Sequence, residues 1–273
     1  AHSLGKVEDE DLVRMSNPLS SELDVMRPDM LFGGLASIAF NLNRKNEYIR
    51  LFERGRVYAK KGEKQKEKER LSVFMSGKHD VQTWRADSDE VELGDVKAEV
   101  EMLLARCSVE GVSIKPVDHP TLSKAHRLEQ NGAELGVIGS VRINVLKHFD
   151  IDQAVHFAEL DMSALLKARG TQKMEFSPVP KFPAVRRDMS LLVDGNIRFE
   201  DLKEVALKHE KKVLKEVSMF DLYEGDKLPA GKKSYGLSFI LQDETQTLTD
   251  ERIDKVMGKL FRIYEKEFDV ERR

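Results

Sequence analysis

Pro178-Val179-Pro180-Lys181-Phe182-Pro183-Ala184-Val185-Arg186-Arg187-Asp188-Met189-Ser190-Leu191-Leu192-Val193-Asp194 is a stiff lead running into an alternating strand. Each of its three prolines fixes φ, lacks an N–H and holds its predecessor out of the helical region. From Val185 the period is two. Val185, Arg187, Met189, Leu191 and Val193 fall on one side; Arg186, Asp188, Ser190, Leu192 and Asp194 fall on the other. The apolar set predicts a half-buried strand with two adjacent arginines at its mouth. By composition alone, the stretch is a domain boundary and a first strand with solvated arginines.

Downstream the pattern continues as helix, strand, strand, helix and short strand. One helix has Phe199, Leu202, Val205 and Ala206 as its stripe. The other uses Ile253, Val256, Met257, Leu260, Ile263 and Tyr264, with Thr249 as N-cap and Asp250 and Glu251 in its first turn. Both helices are expected on the sheet face of Met189, Leu191, Val193, Leu237, Phe239 and Leu241. The opposite face then carries Ser190, Ser218, Phe220, Gly236 and Ser238. Small polar residues around one aromatic suit a single-stranded nucleic acid, whose bases stack on such platforms beside cations. A mildly polar solvent face fits the same residues.

Three phrases in this half occur in a fixed order: Phe182-Pro183 with Arg186-Arg187-Asp188; Phe220-Asp221-Leu222-Tyr223-Glu224-Gly225 with Leu228-Pro229-Ala230-Gly231-Lys232-Lys233-Ser234; and Gln242-Asp243 with Thr247-Leu248-Thr249-Asp250. Together they resemble the ferredoxin-fold anticodon-binding domain that ends the β subunit of bacterial phenylalanyl-tRNA synthetases. The resemblance implies a ferredoxin-like βαββαβ domain over residues 176–273 and tRNA(Phe) as its partner. The tRNA-binding residues expected on it are Arg186, Arg187, Ser190, Phe220, Lys232, Lys233 and Ser238. The cations would attract phosphates, Phe220 would stack, and Ser190 or Ser238 would hydrogen-bond. Strand parity lets one arginine reach the RNA face; Arg186 shares the parity of Ser190, and Arg187 would brace the linker or Asp188. The first and third strands are neighbours in a ferredoxin-like order, so the two basic pairs are expected to approach one another.

The preceding half reads as α+β. A helix starts at Arg27-Pro28-Asp29 and carries Met30, Leu31, Gly34, Leu35, Ile38, Ala39 and Leu42, with Gly33-Gly34 allowing close backbone approach. Tyr48 to Tyr58 and Leu71 to Ser76 read as strands, and the charged run Lys60 to Arg70 as a solvated tip between them. Val91 to Cys107 reads as a helix; Val112 to Val117, Glu134 to Ile143 and Ala154 to Met162 as strands; Ser163 to Arg169 as a short helix ended by Gly170. The phrases Asn17-Pro18-Leu19-Ser20, Met26-Arg27, Leu51-Phe52-Glu53-Arg54-Gly55-Arg56-Val57-Tyr58 and Phe157-Ala158-Glu159-Leu160-Asp161 resemble the synthetase-like domain of the same β subunit. That resemblance implies a degenerate, non-catalytic class II synthetase fold over residues 1–175, with a mixed or antiparallel sheet.

Composition narrows the chemistry. The 273 residues suit two ordinary domains, and the net charge of −3 with 34% charged residues gives a surface dense in both signs. Global basic character, the usual footprint of a nucleic-acid binder, is lacking, so RNA contact requires a local patch. The single Cys107 excludes an internal disulfide and a cysteine-rich zinc site. His79, His119, His126, His148, His156 and His209 lack metal-ligand spacing, and no glycine loop precedes a phosphate-binding lysine. Arg50, Glu53, Arg54 and Arg56 superficially suggest a class II nucleotide site. No later strand offers the paired carboxylate and arginine such a site needs, so they read as structural or interfacial. No catalytic residue and no metal ligand is assigned to this chain.

The resemblance implies an assembly and tRNA-recognition part of phenylalanine–tRNA ligase, inactive alone in phenylalanine activation. The resemblance places the chemistry, with ATP and Mg²⁺, on an α subunit that forms a heterotetramer with β. The helix from Met30 to Leu42 is expected to present an apolar patch to that subunit. The alternative is a stand-alone ferredoxin-like ligand- or RNA-binding protein with a degenerate synthetase domain; a ligase of another specificity is a further rival. No apolar run spans a membrane, a cytoplasmic location is expected, and the start at Ala1 suggests a fragment of a longer polypeptide.

Overall fold

The computed structural model describes residues 9–18, 24–62, 64–79, 89–170, 179–225 and 227–272. The chain divides into two compact units, Ala1–Met174 and Glu175–Arg273. The expected boundary between residues 175 and 176, together with Leu19, Ser20 and Pro178 of the quoted phrases, lies outside the described residues.

The first unit is built on a six-stranded antiparallel sheet. In chain order it has α1 (Leu31–Leu42), β1 (Ile49–Lys61), β2 (Lys64–Ser76), α2 (Leu93–Arg106), β3 (Ser113–Pro116), β4 (Leu122–Gln130), β5 (Ala133–Val141), α3 (Ile143–His148), β6 (Val155–Asp161) and α4 (Met162–Arg169). The strand order is β1-β2-β6-β5-β4-β3. Alternation sends each strand's apolar residues to both faces, and helices cover both. One core joins Leu31, Leu35 and Ile38 of α1 and Val145 and Leu146 of α3 to Phe74 and Phe157. The other joins Val96, Val100 and Leu104 of α2 and Leu165 of α4 to Met75, Ile138 and Leu160.

Four expectations change. Helix α1 begins at Leu31 rather than in the Pro28 turn; Asp29 lies outside it and its Oδ1 accepts from the Phe32 N–H at 3.2 Å, satisfying an orphan donor. The charged run Lys60 to Arg70 is strand rather than solvated tip. Arg56 meets Glu67 at 3.2 Å and Arg54 meets Glu69 at 2.8 Å, so cross-strand pairing extends the hairpin to Lys61↔Lys64. Strand β4 is additional to the expected strands, its alternation being broken by a register shift between Ser123 and His126. Finally, α1 offers no broad apolar patch. Leu31, Gly34, Leu35 and Ile38 are buried, and its exposed aromatic, Phe40 at 57%, lies under the Arg44 guanidinium at 3.3 Å.

His156 of β6 is buried between the layers. The Val91 carbonyl can only accept, so Nε2–H donates to it at 2.9 Å, and Nδ1 takes the Ser140 hydroxyl at 2.9 Å. Burial pushes the imidazole pKa down. A depressed histidine contributes stability that is present above its unfolded pKa and is lost as pH falls through the folded value. The first unit is therefore expected to lose stability below about pH 6.5, with His156 contributing at most about 1.4 kcal/mol per pH unit. Denaturant midpoints at pH 7, 6 and 5 check this. An undiminished pH slope in His156→Gln would assign the effect elsewhere, His119 being the other histidine that burial depresses.

The second unit comprises β7 (Val185–Asp194), α5 (Phe199–His209), β8 (Leu214–Tyr223), β9 (Lys232–Leu241), α6 (Asp250–Phe268) and β10 (Glu271–Arg272). The sheet order β10-β7-β9-β8, all antiparallel, is the ferredoxin-like arrangement. The expected caps hold: Thr249 Oγ1 accepts from Arg252 N–H at 3.4 Å, and acidic residues fill the first turn of α6. Helices α5 and α6 close one face over Met189, Leu191, Val193, Leu237 and Phe239. The Tyr264 hydroxyl, fully buried there, donates to the Leu202 carbonyl at 3.0 Å. The proline lead is tied down where Gln242 Nε2 donates to the Phe182 carbonyl at 2.7 Å.

Candidate nucleic-acid interface

The uncovered face of the second sheet is set by parity. Arg186, Asp188 and Ser190 lie opposite Ile240, Ser238 and Gly236 of β9, and Ser218 of β8 lies opposite Ser238 from the other side. A bulge between Met219 and Asp221 then puts two residues of β8 over Gly236. A Cβ on Gly236 would stand 2.9 Å from both the Phe220 ring and Asp221 Cβ. Glycine is therefore what lets Phe220 lie flat across the strand, 53% exposed, with the Arg186 guanidinium 5.6 Å from its ring centre.

Around this platform the polar groups are already engaged with one another. Arg186 reaches Asp188 with Nε at 2.9 Å and Nη2 at 3.3 Å. The Arg186 guanidinium, backed by the Ser238 hydroxyl, holds the Asp188 carboxyl below the usual carboxylate range. Ser238 is buried beneath them, while Ser190 is half-exposed. Arg187 has the opposite parity and meets Asp250 at the start of α6 at 3.0 Å, a brace to the helix layer rather than to the linker or Asp188.

The two basic pairs do not meet. Antiparallel pairing places Arg186 opposite Ile240 but Lys232 opposite Asp194, at the far end of β7. The separation is about 27 Å, eight residues at ~3.4 Å each. Lys232 lies 3.7 Å from Asp194. Lys233 has helix-side parity and is 9% exposed, its Nζ 5.0 Å from the Tyr235 ring centre. Neighbouring strands that run antiparallel bring the start of one to the end of the other, and this overturns the expected cluster.

The open face is also more charged than the small polar surface expected from its serines and Gly236. Its strand residues include the cations Arg186 and Lys232, but also Asp188, Asp194, Glu216 and Asp221. The carboxylates were legible from the parity that selected Arg186. They disfavour phosphate and favour acceptance from base N–H groups.

In the first unit, Arg50, Glu53, Arg54 and Arg56 serve the frame, as expected. Arg50 donates to the carbonyls of Ile49, Ser76 and Lys78; Glu53 pairs with Arg27 at 2.5 Å; Arg54 and Arg56 bridge the hairpin. Among the described residues no group of three or more His, Cys, Asp or Glu is placed to hold a metal.

These two frames match known proteins. A family model described as the phenylalanyl tRNA synthetase beta chain CLM domain matches residues 2–162. The chain belongs to this family. A second model, the ferredoxin-fold anticodon binding domain, matches residues 180–273. The phenylalanine–tRNA ligase beta subunit of Bacteroides thetaiotaomicron is 39% identical over 274 residues, covering 96% of this chain and 33% of that protein. The subunits of the same name from Porphyromonas gingivalis and Clostridium tetani are 37% and 32% identical, covering 91% and 97% of this chain and 32% and 33% of their own lengths. The chain thus spans about a third of the curated relatives it matches.

Within this synthetase beta-chain frame, an apolar cleft lies away from α1. A cleft of about 550 Å³ between the β1–β2 hairpin and α2 is walled by Leu51, Val73, Val100, Met102 and Leu103. At its edge stands Phe52, 79% exposed. No helix among the described residues is long and apolar enough to cross a membrane.

Proposed function

We propose that this chain acts as the tRNA-recognition and assembly part of a phenylalanine–tRNA ligase, whose chemistry, with ATP and Mg²⁺, is carried by an α subunit in a heterotetramer. The second unit holds unpaired bases of the tRNA(Phe) anticodon on its open face. The observation that carries this reading is the Phe220 platform: an exposed aromatic laid over Gly236, flanked by the Arg186 guanidinium on a face that also carries serines and carboxylates. A base stacks on Phe220, and Ser190, Asp188 and Asp221 supply polar partners at its edges. Arg186 serves stacking more than phosphate attraction, since Asp188 already balances its charge. The first unit meets the α subunit through the apolar cleft beside Phe52 rather than through α1.

Affinity for tRNA(Phe), measured on the chain assembled with its α subunit, tests the platform. Phe220→Ala is expected to weaken binding by about 1–3 kcal/mol, the usual worth of one base–aromatic stack. Wild-type affinity in Phe220→Ala and in Arg186→Ala would place the RNA elsewhere.

A further inference from the structure

The charges of the last helix in the second unit are segregated rather than mixed. On α6, Arg252, Lys255, Lys259, Arg262 and Lys266 recur at intervals of three and four residues. At 100° per residue they form one stripe, running about 21 Å over fourteen steps of 1.5 Å. Asp250, Asp254 and Glu265 lie round from the stripe with Glu251 at its margin, Glu267 stands 3.7 Å from His209, and Ile253, Val256, Leu260 and Tyr264 are buried. The helix carries five cations and five carboxylates, so the stripe arises from placement of charge and not from an excess of it. Lys211 and Lys212, exposed just before β8, extend the basic flank.

The stripe borders a cleft of about 720 Å³ whose walls include Lys212, Arg252, Lys255, Lys259 and Arg262. Two of these cations are spent on the frame. Arg252 meets Asp243 at 2.6 Å, and Lys259 meets Glu210 at 3.0 Å and the His209 carbonyl at 2.6 Å. That leaves Asp254 as the unspent carboxylate of the wall. Among the described residues, no carboxylate pairs with Lys211, Lys212, Lys255, Arg262 or Lys266.

We propose that this stripe is a phosphate-tracking surface for an RNA strand, separate from the base-stacking platform on the sheet. A stacked strand places about six phosphates along 21 Å at ~3.4 Å each. A membrane surface is a poorer match, because the apolar residues of α6 are consumed by the core and leave nothing to insert. The Arg252 end of the stripe, with Lys212 and Asp243, lies at the end of the sheet where β7 begins, since Val185 and Leu214 both pair with Leu241. A strand held by its phosphates there is delivered to the end of the sheet that carries Arg186. The division of labour answers the acidity of the open face: the sheet reads bases and the helix layer attracts the backbone.

This inference shares the RNA partner of the reading above but uses a different face, and salt dependence separates the two. Binding of the full chain to tRNA(Phe) and to polyuridylate of equal length is followed by fluorescence anisotropy between low and moderate salt. Lys255→Gln/Arg262→Gln is expected to weaken both RNAs at low salt and to flatten the log–log salt slope by about 1.4, some 0.7 per lost contact. Each single variant should flatten it by half as much. An unchanged slope in the double variant, or no binding of either RNA by the wild-type chain at low salt, overturns the stripe. Equal wild-type affinity for the two RNAs, with the slope still flattened, supports the stripe while overturning tRNA recognition by the platform.

Discussion

Gly34→Ala is expected to lower the stability of the first unit by about 2 kcal/mol, while Gly33→Ala, one residue earlier, raises it by about 0.5–1 kcal/mol. Both glycines sit in the first turns of α1, so alanine relieves the same backbone entropy cost at each. What differs is the space. A Cβ on Gly33 meets nothing within 4 Å, and the helix gain is realised in full. A Cβ on Gly34 falls onto the ring of Phe74. That ring cannot step aside, being almost fully buried with its centre 4.9 Å from that of Phe157. The strain of moving two packed rings outweighs the helix gain. Urea unfolding of the two variants, followed by hydrogen exchange in α1 and β2, reads both signs. Shifts in the same direction would show that α1 does not sit on Phe74 as described.

Gly236→Ala is expected to cost tRNA affinity nearly as much as removing Phe220 itself, about 1–3 kcal/mol, although residue 236 lies beneath the platform. The new methyl would stand 2.9 Å from the ring and from Asp221 Cβ. Asp221 Cβ is fixed by the bulge, so the exposed Phe220 ring is what moves, and it tilts away from the guanidinium of Arg186. The two substitutions should therefore fail to add. In a Phe220→Ala background the methyl finds an emptied neighbour, and Gly236→Ala should cost little further affinity. Additive losses in the double-mutant cycle would refute the idea that glycine is there to seat the ring.

Much of the second unit was legible because its signals are local. Thr249, Asp250 and the apolar stripe of α6 announce a helix within one window, and the period of two in β7 settles which side Arg186 and Arg187 take. What could not be read was whatever depends on a partner strand. The separation of Arg186 from Lys232 follows from antiparallel register, a relation between residues over forty positions apart. Phe220 and Asp221 share a face because of a bulge that no alternation pattern announces. In the first unit β4 was hidden by the same kind of irregularity, and the burial of α1 was set by Phe74 and Phe157, which arrive from distant strands. The basic flank of α6 is different. Its spacing stands in the sequence, interleaved with the buried stripe of the same helix.

The long β1–β2 hairpin raises a question of solubility. Strand β6 pairs with β2 only along Arg70 to Ser76, so the last rungs, from Ala59↔Lys66 to Lys61↔Lys64, form a ribbon without a third strand. A bare ribbon is a template for another chain's backbone, the geometry from which fibrillar aggregates grow. Here Lys60, Lys61, Lys64 and Lys66 put a lysine on every one of those rungs. An intruding copy in register would set like charges against like at nearly every rung. The charge that looked like a loop in one dimension is what keeps the hairpin's open end from recruiting its own kind.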